Sequence, residues 1–252
     1  MDFCDFRFFG SFGGVSEGKF KSLNCDVHSG DDLNYVMLNR RIVCNSFEGD
    51  NKLFMVNQSH TDEVFVLENY DDLDKCDEIE CDAIITRLPS ILLGISTADC
   101  APIVFFDEKA SVICCCHAGW RGAYSDLFKN ILFIFENRFG SKVENINVVI
   151  GPMIQQDSYQ VQQDFYDKWI EQDKVFDDFF EKREGGYYFD LSNAIVYKLM
   201  NLGIPQRNID NTEIDTLSNN DYFSYRRGTL SGEIEKGSEV FGRNISVVKI
   251  NK

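Results

Sequence analysis

The chain has 252 residues, of which 44% are apolar and 26% are charged, and it contains only 4 Pro. A chain of this size and composition can bury a core without disulfide or metal support, which excludes a disordered, collagenous or low-complexity protein. The 25 Lys and Arg residues against 41 Asp and Glu residues leave a formal net charge of −16. Because such an acidic surface repels phosphate backbones and anionic lipids, we expect no binding to nucleic acid or to membranes.

Cysteine usage and the N-terminal segment indicate a cytoplasmic protein. The nine Cys residues are odd in number and include no CxxC pair, which favours free thiols in a reducing compartment. Residues 1–10 carry two Asp before their only Arg and lack a long apolar region, so no leader is predicted. No apolar run approaches the ~18 residues of a membrane span. We expect one domain over residues 1–252, and the sequence gives no sign of an oligomeric state.

The predicted elements follow an acidic stretch, residues 69–82, that is typical of a surface loop or a short helix. Four short apolar runs bounded by polar or turn residues predict strands, with residues 107–110 as a hairpin connection. These runs are Ala83–Thr86 and residues 91–96, 102–106 and 111–116. Three consecutive Cys at 114–116 would alternate between the two faces of the last strand and be buried there.

The second half of the chain alternates between helical and strand-like patterns. Apolar residues recur at helical spacing from Leu127 to Phe139, and Gly140 can close this helix. Further predicted elements are a strand at 146–150, helices at 162–180 and 191–202, and a closing strand at 243–250. The sequence therefore predicts an α/β (α+β mixed) fold of layered mixed β-sheets with flanking helices.

The chain contains only three His, so few residues are candidates for a catalytic or metal-binding imidazole. His28 lies in a polar stretch and is interpreted as an exposed loop residue rather than a ligand. His60 lies between two strand-like runs, and His117 follows another and begins the run HAGWRG. Cys100 ends the run TADC, also at the end of a predicted strand.

The two later His and this Cys form a candidate metal site. Their wide separation in sequence is unlike that of a zinc finger, but it would bring three strand ends to one edge of a sheet. Two imidazoles and a thiolate suit Zn²⁺ or a copper ion, and three protein ligands leave a fourth position open, as in a catalytic site. A purely structural role for His60, Cys100 and His117 stays open at this point.

Two charged residues near these motifs are further candidates. Arg121 could hold a phosphate bidentately near a helix start, or it could form a surface ion pair. Asp99 could orient a ligand or act as a base beside Cys100, or it could simply cap a turn.

The order of the motifs resembles the YfiH/laccase-domain family, whose members are described as purine nucleoside phosphorylases and were once called multicopper polyphenol oxidases. The two most specific motifs are TADCAP at 97–102 and HAGWRG at 117–122, and Gln58-Ser59-His60 resembles the family's Gln-x-His element. Further matches follow in family order along nearly the whole chain. They are residues 12–16, 22–24, 30–31, 39–40, 150–152, 159–161, 190–191 and 223–226.

The resemblance implies a catalytic metal site, generally assigned to zinc, formed by His60, Cys100 and His117. It implies phosphorolysis of adenosine, inosine and S-methyl-5′-thioadenosine, together with adenosine deamination. The partners implied are thus small purine nucleosides and phosphate. The fold implied is a single CNF/YfiH-like α/β unit related to bacterial toxin deamidases.

Within that family reading, four residues are assigned roles in catalysis or substrate binding. Asp99 is the candidate proton shuttle. Arg121 and Arg40 are the candidates for holding phosphate, with Arg226 as a third, because phosphorolysis needs cationic groups around its anion.

Four positions depart from the family pattern. Thr61 stands where Gly is usual, Met153 replaces a Cys, and Gln160 replaces a Glu. Glu233 follows Gly232 where a Thr-Gly-Arg element is expected. We expect these changes to affect substrate range and rate rather than metal binding.

Three other functions remain as alternatives. A copper-dependent, laccase-like polyphenol oxidase is one, although four-copper enzymes need roughly ten His ligands and this chain has three. A metal-free Cys–His hydrolase or deamidase is the second, with Cys100 as nucleophile and His117 as base. The third is a non-enzymatic metal-binding protein of the division or envelope machinery.

Overall fold

The computed structural model describes residues 3–251. The strands in this part of the chain are β1 (Cys4–Phe8), β2 (Lys52–Phe54), β3 (Val64–Leu67), β4 (Ala83–Thr86), β5 (Ile91–Thr97), β6 (Ala101–Asp107), β7 (Val112–Ala118), β8 (Asn147–Ile150), β9 (Gln160–Val161), β10 (Phe180–Arg183), β11 (Gly186–Phe189), β12 (Ile209–Asn211) and β13 (Asn244–Ile250). The α-helices are α1 (Leu33–Asn45), α2 (Trp120–Tyr124), α3 (Leu127–Phe139), α4 (Gln163–Gln172), α5 (Leu191–Asn201) and α6 (Tyr225–Ser231). No helix among residues 3–251 is long and apolar enough to cross a membrane.

The strands form three sheets, which confirms the predicted mixed α/β class. A six-stranded sheet has the order β12-β8-β6-β7-β4-β3, and a four-stranded sheet has the order β1-β13-β5-β2. Both mix parallel and antiparallel pairs. A small antiparallel sheet, β10-β11-β9, packs beside α4.

The alternation of side chains along the central strands builds the layers. In β7, Cys115 faces the four-stranded sheet, whereas Cys114 and Cys116 face the helices on the other side. All three thiols are fully buried, as predicted. The outer face of the four-stranded sheet packs against Val43 of α1. The order of layers is therefore α1, four strands, six strands, and then α3 and α5.

The predicted strands at Ala83–Thr86, 91–96, 102–106 and 111–116 are confirmed as β4 to β7. The bounds of β4 are as predicted, and those of the other three differ by one or two residues. The helix that ends at Gly140 is also confirmed. Gly140 has φ 69° and ψ 20°, the left-handed conformation that favours glycine after a helix. All nine Cys are free thiols.

The predicted helix over residues 162–180 is wrong in its second half. The α-helix ends at Gln172, where Asp173 becomes extended with φ −160°. The Asp173 side chain then accepts a hydrogen bond from the Val175 N–H and starts a 3₁₀ segment. Helices α1, α2 and α6 and strands β1 and β9 to β12 were not predicted. Strand β1 lies within the segment at 1–10, of which Met1 and Asp2 fall outside the described residues.

Strand pairing positions the candidate site at one edge of the six-stranded sheet. Residues 98–100 link β5, in the four-stranded sheet, to β6, in the six-stranded sheet. Ala101 pairs with Ala118, which brings Cys100 to the end of β7. Ala83 pairs with Cys116, so the residue before β4 lies beside His117.

Candidate metal centre

The structure brings His60, Cys100 and His117 together. Their ligand atoms lie within 4.8 Å of one another. The sulfur of Cys100 is 3.8 Å from Nε2 of His60. The two imidazole rings meet edge to face, with 4.8 Å between their centroids. These residues are 40 and 17 positions apart in sequence, so the contact depends on the sheet topology.

Gly119 leaves the space in which the three side chains meet. A Cβ at this position would lie 2.9 Å from the Cys100 sulfur and 3.0 Å from Cδ2 of His60. Both distances are shorter than ordinary van der Waals contact. The glycine of the HAGWRG run is therefore required by the close approach of two side chains.

His117 is oriented by Asp82, a residue that lies outside the sequence motifs. Nδ1 of His117 lies 2.7 Å from Oδ1 of Asp82, and the Asp82 side chain is fully buried. Hydrogen bonding at Nδ1 leaves Nε2 of His117 for a metal ion. Asp82 directly precedes a predicted strand, but its role depends on the pairing of β4 with β7, which the sequence does not reveal.

Thr61, one of the departures from the family pattern, completes this arrangement. Its backbone N–H donates to Oδ2 of Asp82 at 2.6 Å, and its hydroxyl donates to the same oxygen at 2.9 Å. The Asp82 carboxylate thus accepts from Thr61 on one oxygen and pairs with His117 on the other. These contacts hold its pKa below the ordinary value although burial by itself would raise it.

The charges of Cys100 and His117 stabilise each other. Burial by itself would raise the pKa of the Cys100 thiol, but the His117 charge and hydrogen bonds from both His bring it to about 6. Burial by itself would lower the pKa of His117, but Cys100 and Asp82 raise it to about 10. The thiolate, which is the form that binds metals, is therefore favoured near neutral pH.

The donor set fits a metal ion. Two imidazoles and a thiolate are the ligands that Zn²⁺ and copper ions accept, with metal–ligand bonds of about 2.0–2.3 Å for zinc. The glycine at position 119 and the thiolate suit such an ion, and the contact of Nδ1 with Asp82 leaves Nε2 of His117 as the nitrogen whose proton a metal would displace. The site can thus hold a metal with three protein ligands and keep a coordination position toward the cavity beside it.

Asp99 occupies a different place from the one expected. Its backbone has φ 83°, and its carboxylate accepts hydrogen bonds from the Thr216 hydroxyl and the Arg226 backbone N–H, both at 2.7 Å. The carboxylate thus ties the β5–β6 link to the start of α6 and does not line the cavity. The role of Asp99 as a proton shuttle stays a prediction.

Arg40 also lies away from the cavity, and its role in holding phosphate stays a prediction. The side chain is buried, and its two terminal nitrogens bond both carboxylate oxygens of Asp77 at 2.6 and 2.8 Å. Its Nε donates to the Cys25 carbonyl at 2.8 Å. Each of its three nitrogens is therefore already bonded within the protein.

The other two predicted arginines do not line the cavity either. Arg121 is exposed, with its guanidinium 4.7 Å from the centre of the Trp120 ring. Arg226 donates from Nη1 to the Gln160 carbonyl at 2.9 Å and lies over the Tyr159 ring.

A cavity of about 560 Å³ opens beside the three donors, a size suited to a small-molecule ligand. His60, Cys100 and His117 line one side of it. His28 lines it as well; it is exposed, as expected for a loop residue, yet it faces the same space. The remaining lining groups that carry charge or an aromatic ring are Asp26, Tyr225, Glu239, Phe241 and Arg243.

Arg243 changes the interpretation of one departure from the family pattern. The expected Thr-Gly-Arg element was placed at Gly232, where Glu233 follows and is exposed. The structure shows that Gly242 and Arg243 immediately precede β13 and that Arg243 lines the cavity. An arginine is therefore present at the site, ten residues later than expected.

Fold and site together define a class: a layered α/β protein with a His–Cys–His metal-type donor set at the edge of its central sheet. The chain belongs to the family described as multi-copper polyphenol oxidoreductase laccase, whose model matches residues 5–251. The predicted resemblance to the YfiH/laccase-domain family is thereby confirmed.

Relatives of the chain carry enzyme names. The chain is 32% identical over 237 residues to "Purine nucleoside phosphorylase" of Bacteroides thetaiotaomicron, covering 89% of this chain and 87% of that protein. It is 31% identical over 229 residues to "Adenosine deaminase RL5" of an unknown prokaryotic organism, covering 86% and 87%. These names support nucleoside processing as the function of the family.

Solved structures share the fold. The hypothetical protein YfiH of Bacillus licheniformis superposes with a TM-score of 0.87 at 26% identity, covering 98% of this chain and 93% of that one. Protein NMB0706 of Neisseria meningitidis, at 24% identity, gives a TM-score of 0.83 over both full chains.

Proposed function

We propose that this protein is a zinc-dependent purine nucleoside phosphorylase that acts on adenosine, inosine and S-methyl-5′-thioadenosine and also deaminates adenosine. The observation that supports it most is the convergence of His60, Cys100 and His117 on the wall of a cavity of about 560 Å³. Relatives of the chain are named for both activities. The nine free thiols fit a reducing cytoplasm as the place of action.

In this proposal each group of residues has a separate role. His60, Cys100 and His117 hold the ion, which when bound supplies Lewis acidity. Asp82 keeps the proton on Nδ1 of His117. Tyr225, whose ring lies 5.0 Å from that of Phe241, offers an aromatic surface for the purine within the cavity.

The test is a product analysis with zinc-loaded protein. Each nucleoside is incubated with and without phosphate, and free base and inosine are separated by chromatography. We expect base release that requires phosphate, and conversion of adenosine to inosine that does not. Cys100→Ser should lose zinc and both activities, whereas Cys44→Ser, at a half-buried thiol of α1, should keep them. If none of the three nucleosides is converted, the proposal is wrong.

A metal-free Cys–His hydrolase is the second candidate. It is favoured by the Cys100 sulfur beside His60 and by the Asp82 carboxylate that orients His117, which together resemble a nucleophile, a base and its orienting group. Stoichiometric zinc that disappears in Cys100→Ser would favour the metal enzyme. Activity of metal-free protein that is abolished by a thiol-directed inhibitor at Cys100 would favour the hydrolase.

The family description also mentions copper. Three His cannot supply the roughly ten imidazoles of a four-copper oxidase. One copper ion at the His–Cys–His site would still fit the donors. Phenol oxidation that rises with added copper would favour this reading over the zinc enzyme.

A further inference from the structure

The cavity beside the metal-type site contains one guanidinium group. Among the lining residues that the structure describes, Arg243 is the only Lys or Arg. The side chain is 13% exposed, and its guanidinium carbon lies 4.1 Å from the centre of the Phe241 ring. The group is therefore held in place within the wall rather than extended into solvent.

Two carboxylates flank this guanidinium unequally. Asp26 lies 2.9 Å from Nη1 and is 14% exposed, whereas Glu239 lies 3.0 Å from Nη2 and is 84% exposed. An ion pair as exposed as the second one contributes little to stability. An incoming anion can thus replace the Glu239 carboxylate, while Asp26 and the backbone carbonyl of Glu239, 3.2 Å from Nη2, keep the guanidinium in position.

Hydrogen bonds from the backbone also show that the Asp26 carboxylate is fixed in place and that the Glu239 carboxylate is not. Asp26 accepts from the His28 N–H at 2.8 Å, and the Arg243 N–H donates to Asn24 at 3.2 Å. These bonds tie the Asp26 loop to the residue immediately before β13. Glu239 lies instead in the exposed segment before it, next to Ser238 and Gly237, which also line the cavity.

We propose that Arg243 is the phosphate-binding residue of this cavity, with Asp26 as its positioning partner and Glu239 as the group that phosphate displaces. This inference rests on the proposed phosphorolysis. A guanidinium binds phosphate through paired N–H groups. One phosphate oxygen then bonds to C1′ of the ribose while the C1′–N9 bond breaks. The electron pair goes to the purine, and the proton of hydrogen phosphate ends on the released base.

The experiment compares two reactions of one enzyme, because only phosphorolysis needs phosphate. In Arg243→Gln we expect the KM for phosphate to rise about tenfold to a hundredfold, as for the loss of a hydrogen bond to a charged group. Adenosine deamination should stay within about twofold of wild type. In Glu239→Gln, which removes the competing carboxylate from an exposed position, the KM for phosphate should fall.

A matched control is Arg183→Gln. Arg183 also pairs with two carboxylates, Asp157 and Glu181, but it does not line the cavity. This variant should leave the KM for phosphate unchanged. Thermal unfolding of each variant shows whether it is folded. If Arg243→Gln does not fold, Glu239→Gln still tests the proposal.

Direct binding separates this proposal from the proposed function. Inorganic phosphate is titrated into each protein and followed by ³¹P NMR line broadening. If wild type converts no nucleoside, the proposed function fails, but phosphate binding that is lost in Arg243→Gln still supports the subsite. Equal loss of both activities in Arg243→Gln, or an unchanged affinity for phosphate in both cavity variants, would overturn it.

Discussion

His117 and Asp82 are joined through both backbone and side chain. The backbone N–H of His117 donates to the carbonyl oxygen of Asp82 at 2.7 Å, and Nδ1 of the imidazole lies 2.7 Å from the carboxylate. The backbone bond continues the pairing of β7 with β4 at the end of the two strands. The sheet therefore also fixes the side-chain contact between the imidazole and the carboxylate. The imidazole is thus fixed before any ion binds.

We expect Asp82→Asn to weaken zinc binding by about tenfold to a hundredfold, which is typical when the carboxylate behind a ligating His is removed. An amide can also donate to Nδ1, which would place the imidazole proton on Nε2. Zinc affinity is measured by competition with a chromophoric chelator. Asp107→Asn, at a buried carboxylate near the opposite end of the same sheet, should change stability but not zinc affinity. Equal zinc affinity in wild type and Asp82→Asn would contradict this role.

Thr61 should have a smaller effect on the same measurement. Thr61→Val removes the hydroxyl that donates to Asp82 at 2.9 Å but keeps the backbone N–H that donates at 2.6 Å. The loss of one hydrogen bond of two predicts a weakening of several-fold, about 1 kcal/mol. A loss as large as that of Asp82→Asn would mean that the hydroxyl, and not the backbone, holds the carboxylate.

Gly119→Ala tests whether the donors need the space beside this glycine. The backbone there, with φ −73° and ψ −178°, is accessible to alanine, so any loss must come from the methyl group. A Cβ 2.9 Å from the Cys100 sulfur should displace the thiolate and reduce bound zinc well below one per chain. Gly122→Ala is the control, because its Cβ would approach closely only the flexible end of the Leu127 side chain, at 3.0 Å, and would make ordinary contacts with His117 and Ala118. Metal analysis of both purified variants decides the point, and full zinc occupancy in Gly119→Ala would count against it.

The central strands could be predicted from the sequence because their residues are mostly apolar. Strands β4 to β7 lie between two packed layers, so each of their residues is buried and each appears as an apolar run. Helix α1 shows the opposite case. Its buried positions include Asn39 and Arg40, whereas Leu33, Met37 and Ile42 are exposed, so the helical pattern is masked.

Some residues of the candidate site could likewise be predicted from the sequence, and others could not. Residues in distinctive motifs, such as His60, Cys100 and His117, could be selected from the sequence. Asp82 and Arg243 could not, because each reaches the site through strand pairing across a long stretch of chain. The sequence could not indicate the contacts that Arg40 and Asp99 make with neighbouring elements, because a charged residue in a motif has the same appearance whether it binds a ligand or a neighbouring element.

The Arg40–Asp77 ion pair predicts how the stability of the folded protein changes at acid pH. Burial by itself would raise the pKa of Asp77, but hydrogen bonds and charge from Arg40 outweigh it and hold that pKa below its ordinary value. A carboxyl whose pKa is lowered by folding stabilises the protein above its unfolded pKa of about 3.9, and the effect is lost as the pH falls through the folded pKa. The contribution should therefore be complete at pH 7 and decline below about pH 4.

Asp77→Asn is the suitable substitution, because Asp77 has φ 66°, a conformation that Asn tolerates well. At pH 7 we expect a loss on the order of 3 kcal/mol, since Arg40 is left buried without its partner. Urea unfolding from pH 7 to pH 3 should show wild type approaching the variant as the pH falls. Glu68→Gln, which breaks an exposed pair with Arg138, should change stability by about 1 kcal/mol or less. A stability difference between wild type and Asp77→Asn that stayed constant down to pH 3 would show that the carboxylate charge is not what supports Arg40.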